Sequence, residues 1–157
     1  MARFQPALLG GLFIGVLSAL PLVGSANACC CLWVVVGGLL TAYLLQQNQP
    51  SPVETAEAAL QGLGAGALGG LLYVVILSVL LTGASGLGLE ERVRAALDSS
   101  PEIPLGVRHM VLNMFVGSRL VVLVAVVTIP TYAVFGMLGA FLGLAIFRKK
   151  VPPAPQG

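Results

Sequence analysis

The chain has 157 residues, enough for one domain. Hydrophobic residues make up 57% and charged residues only 9%, with a mean hydropathy of +0.98, whereas a soluble domain usually carries about a quarter charged residues. The net charge of +2 comes from separated Arg and Lys residues and not from a basic stripe, which excludes a nucleic-acid footprint and leaves lipid as the solvent for most of the chain.

After MARFQP, whose only charged side chain is Arg3, residues 7–23 (ALLGGLFIGVLSALPLV) form an apolar run at the short end for a membrane span. Gly11 and Gly15 stand four apart on it, and Pro21 fits a helix terminus or a kink. Arg3, this apolar core and Ala26-Asn27-Ala28 before Cys29 also fit a cleavable signal peptide. The apolar sequence that resumes at once favours a retained helical hairpin, with a tight turn at 24–27. Residues 29–45 (CCCLWVVVGGLLTAYLL) are the second span, with Trp33 and Tyr43 near its ends, where amphipathic rings collect at membrane interfaces. A polar loop with Pro50 and Pro52 follows, and Thr55 is expected to cap the next helix.

Residues 58–83 carry no charge and would be about 39 Å long as a helix, enough to cross a hydrocarbon core of about 30 Å with some tilt. Gly62, Gly66 and Gly70 recur every four residues and give this span a face where neighbouring backbones approach closely. Residues 87–116 form the main soluble segment. The stripe Leu89, Val93, Ala96 and Leu97, and a second of Val107, Met110, Val111, Met114 and Phe115, predict two short amphipathic helices on the membrane surface. Pro101 and Pro104 separate them.

The last apolar stretch, residues 120–147, is long for one span and has Pro130 near its middle. One kinked helix is expected, because a turn at Pro130 leaves both halves short of the roughly 20 residues a span needs. Gly139 and Gly143 give it a small-residue face. Arg148, Lys149 and Lys150 end the membrane portion and put the C-terminus in the cytoplasm by the positive-inside rule; 151–157 reads as a disordered tail. Five spans, turning at Pro130, would gather seven of the eight basic residues inside, and this stays as the alternative topology.

Cys29, Cys30 and Cys31 are the only cysteines. Neighbouring residues on a helix point about 100° apart, so three consecutive thiolates do not converge on one ion. Packing of small apolar side chains accounts for them, with lipid modification or a metal or redox site as alternatives. His109, the sole histidine, lies in the surface segment and reads as an interfacial polar residue before a metal or pigment ligand. Arg119, where the last apolar stretch begins, is expected to snorkel to the headgroups. Glu54 and Glu57 complement a helix N-terminus. No carboxylate pair lies within a span, and no Ser-His-Asp set, phosphate loop or H-E-x-x-H motif occurs, so no enzyme is expected.

The segments SANACCCLWVVVGGLLTAYLL and GMLGAFLGLAIFRKK resemble those of small uncharacterised bacterial membrane proteins, in which a Cys-rich turn opens the second span and a Gly-rich last span ends in basic residues. The resemblance implies a four-span architecture in a bacterial cell membrane and supplies no activity. The expected molecule is all-α: a polytopic membrane helical bundle of four transmembrane helices with an interfacial amphipathic segment. Its expected role is that of a non-enzymatic structural or accessory subunit, joined to a membrane-protein partner or to copies of itself. A transport or channel component and a cofactor- or metal-binding membrane subunit are the alternatives, and no particular cofactor is identified.

Overall fold

A computed structural model describes residues 4–83, 86–100, 102–115 and 118–147. Arg148, Lys149, Lys150 and the expected tail at 151–157 lie outside the described residues. Among the described residues the regular elements are all helices: α1 (Gln5–Ala19), α2 (Pro21–Cys30), α3 (Leu32–Asn48), α4 (Thr55–Gly83), α5 (Gly86–Asp98), α6 (Leu105–Phe115) and α7 (Ser118–Phe147).

The first two expected spans are corrected by two backbone breaks. The run expected over 7–23 stops at Ala19, and Leu20 is extended at φ −74°, ψ 126°. The ring of Pro21 disfavours helical geometry in the residue before it, and Pro21 then opens α2 as its first residue. The turn expected at 24–27 is therefore helical, with Gly24 N–H bonded to Leu20 C=O at 2.6 Å. The helix expected as the second span begins at Leu32 and not at Cys29, because Cys31 is left-handed at φ 48°, ψ 39°. Its N–H bonds Asn27 C=O at 3.0 Å, a helix-ending arrangement more usual for glycine. Thr55 is the first residue of α4 and not its cap; Ala58 N–H bonds Glu54 C=O at 3.0 Å.

These breaks leave α1 with 15 residues and α3 with 17. Among the described residues two helices, over Thr55–Leu80 and Arg119–Phe147, are long and apolar enough to cross a membrane, not four. Pro130 does not divide the last stretch: α7 runs through it as one helix of 30 residues.

The chain forms two compact units. The first comprises residues 1–73 and 129–157. In it, glycines line the meetings of four helices. Gly10 of α1 lies against Gly37 and Thr41 of α3, and Gly11 and Gly15 lie against Ala65, Leu68, Gly69 and Leu72 of α4. Gly38 of α3 faces Gly136 and Ala140 of α7, while Gly139 and Gly143 of α7 back onto Val35, Leu39 and Ala42 of α3. Gly62 and Gly66 of α4 meet α7 from Tyr132 to Ala140. A β-carbon at Gly66 would fall onto the Tyr132 carbonyl, and one at Gly38 onto that of Gly136. Each seam is thus a backbone-to-backbone contact that a side chain would block. Ala7, Ile14, Val34, Ala65 and Tyr132 form one small core; Leu45, Val53, Ala58 and Leu144 form another.

The second unit spans Val74–Thr128 and contains α5 and α6. Arg108 of α6 holds them together: its guanidinium donates to Leu97 C=O at 2.6 Å and pairs with Asp98 at 3.0 Å. Leu97 is buried and Val93 half-buried, while Val107 and Met110 of the α6 stripe are exposed. The side chains of Leu89, Met114 and Phe115 lie outside the described residues.

Candidate functional site

The best-organised polar feature of the first unit is built on Asn27, and it follows from the two backbone breaks. Pro21 starts α2, which carries Asn27; Cys31 then reverses the chain into α3. Asn27 serves both ends of this reversal. Its carbonyl accepts the Cys31 N–H that closes α2, and its Oδ1 accepts the Trp33 N–H at 3.1 Å. That N–H is one of the donors a helix start leaves without an intrahelical partner. Cys31, the residue at the cap position of α3, makes no side-chain cap bond itself.

The amide nitrogen of Asn27 reaches two more helices. It donates to Ser18 Oγ of α1 at 2.7 Å and to Tyr132 Oη of α7 at 3.2 Å. Trp33 Nε1 donates to Val23 C=O at 2.7 Å, and its ring meets Phe13 edge-on at 6.3 Å. The Tyr73 ring lies 5.9 Å from that of Tyr132. Ser18 and Tyr132 are both buried. Every member is neutral. An amide donating to Ser18 orients the hydroxyl without drawing off its proton, so these bonds fix geometry and do not create a nucleophile.

Among the described residues two other polar side chains are buried. Thr41 Oγ1 donates to Gly37 C=O within α3 at 2.8 Å. Gln46, 3% exposed, has neither amide atom bonded to protein.

The residues singled out in the sequence are scattered. Cys31 is half-buried at the reversal, and the side chains of Cys29 and Cys30 lie outside the described residues. His109 is exposed on α6 and Arg119 exposed in the first turn of α7. No group of three His, Cys, Asp or Glu side chains among the described residues could hold a metal ion. Trp33 is half-buried in the Asn27 cluster; Tyr43 is at the surface, its ring 5.0 Å from Phe147 and its hydroxyl accepting from Gln47. Gly11, Gly15, Gly62, Gly66, Gly139 and Gly143 sit on helix seams, and Gly70 is buried.

Sequence reasoning missed Asn27, Ser18 and Tyr132 as a set. An amide inside an apolar run was the available signal, but it read as part of Ala26-Asn27-Ala28. The residues Asn27 joins are 9 and 105 positions away. Neither a known protein family nor any curated protein or solved structure matches the chain.

Proposed function

We propose that this is a multi-pass integral membrane protein with a structural role, an accessory subunit of a larger membrane complex or a self-associating scaffold. The supporting observation is the reversed packing of the first unit. Glycines and small residues occupy its helix seams, while Leu8, Leu12, Val16, Leu71, Leu138 and Leu142 are exposed. In water so much exposed apolar surface is a liability; in lipid it is the solvated face.

In this reading α4 and α7 cross the bilayer. The shorter α1 and α3, about 22 and 26 Å long, complete a four-helix bundle within it, and α5 and α6 lie at its surface. The Asn27 cluster joins α1, α2, α3 and α7, as befits a rigid element more than a moving one.

The test is mass spectrometry of the full chain released from its native membrane in mild detergent. The expected result is a stoichiometric assembly, either with larger subunits or of several copies. Recovery as a monomer that conducts a solute in liposomes would replace this reading with transport.

A further inference from the structure

One glycine of the bundle is not explained by its packing. A β-carbon at Gly64 would meet only Ala7 Cβ, at 3.9 Å. Gly64 instead lines an open groove of about 860 Å³ in the first unit. Ala7, Ala67, Leu60 and Leu71 line it as well, and Glu54 and Glu57 line it where α4 begins. From the structure we infer that this groove binds a membrane lipid whose headgroup carries a primary ammonium. The inference rests on the membrane reading above.

Three observations select this occupant. First, the lining is ordered like an amphiphile, with Glu54 and Glu57 around the start of α4, Gln61 one turn further on and apolar residues from 64 to 71. From Glu57 to Leu71 the groove runs about 21 Å along α4, somewhat more than one leaflet of hydrocarbon at about 15 Å. Second, the charged residues that line it among the described residues are both acidic, Glu54 and Glu57. Gln49 Nε2 donates to one oxygen of Glu57 at 2.9 Å, which leaves acceptor capacity for an ammonium's three N–H groups. Third, a second copy is a poor occupant: a two-fold along the bilayer normal would hold the carboxylates of both chains at the same depth, like charge beside like charge.

The test is competition in detergent. The full chain is mixed with equal amounts of phosphatidylethanolamine, phosphatidylcholine and phosphatidylglycerol of identical acyl chains, and retained lipid is counted by native mass spectrometry. The expected result is one phosphatidylethanolamine per chain, favoured about fivefold over the other two, as one charge-assisted contact at a partly exposed site allows. The double variant Glu54→Gln, Glu57→Gln should lose the preference but still hold a lipid. Gly64→Phe should hold none while its circular dichroism stays helical. Equal retention of the three lipids, or preference for phosphatidylglycerol, overturns the proposal. So does a protein partner or a dimer that Gly64→Phe releases. A chain that alkaline carbonate extracts from membranes would sink the membrane reading itself, which separates the two failures.

Discussion

Asn27 is the residue on which most partners depend. Asn27→Ala strips a donor from Ser18 and Tyr132 and an acceptor from the Trp33 N–H. A buried donor left unpaired costs about 1–3 kcal/mol, while hydrogen bonds between membrane helices average about 0.6 kcal/mol, so a loss of about 2 kcal/mol is expected. Trp33 is the only tryptophan, and its emission reports the site directly. Unfolding in detergent should shift to lower temperature, with red-shifted emission; an unchanged midpoint and spectrum would show that the cluster fixes nothing. Cys31 is the opposite case. A left-handed conformation costs an L-residue about 1–2 kcal/mol, and glycine gives back about half of that gain as chain entropy. Cys31→Gly should therefore stabilise by about 0.5 kcal/mol, and Cys31→Val, with a branched β-carbon, should destabilise in the same assay. Neither feature was legible in the sequence. Asn27 finds its partners through tertiary contacts, and a left-handed cysteine lacks the glycine or asparagine that normally signals one.

Seams between helices follow a rule that single glycines can test. Gly66 and Gly64 are two positions apart on α4, yet a β-carbon on one would strike the Tyr132 carbonyl and on the other would meet only Ala7, at 3.9 Å. Gly66→Ala must push α4 and α7 apart, at about 1–3 kcal/mol as for other overpacked sites. Gly64→Ala meets nothing closer than 3.9 Å and gains helix propensity, so its unfolding midpoint should equal or exceed that of the parent. The reverse order in thermal unfolding would refute the seam. Spacing alone put Gly62 and Gly66 on one face, because the four-residue repeat is close to the helix period, and both lie against α7. Spacing could not show that Gly37, Gly38 and Gly69 serve other seams, since that depends on which helix lies opposite. The two prolines make the same point. Pro21 opens a new helix, whereas Pro130 sits inside α7, two residues from Tyr132, where the seam with α4 begins. Both lack an N–H, and packing decides whether the helix survives that.

For the molecule as a whole, the question is which helices cross a bilayer. At about 44 and 45 Å, α4 and α7 exceed a hydrocarbon core of about 30 Å, while α1 and α3 fall short of it. If α4 and α7 both cross, the connection between them lies on one side of the membrane, and the loop before α4 lies on the other. His109 on α6 and Ser51 before α4 are both exposed and sample these two sides. In a background of Cys29→Ala, Cys30→Ala and Cys31→Gly, the variants His109→Cys and Ser51→Cys can be labelled in sealed vesicles with an impermeant maleimide. One should react from outside, and the other only after the vesicles are opened. The pattern is independent of what α1 and α3 do, because it counts only the crossings between residues 51 and 109. An odd number of crossings there requires that α4 spans. Reaction of both from the same side would mean that α4 does not cross, and the exposed Leu and Val side chains would then need a protein, not a lipid, to cover them.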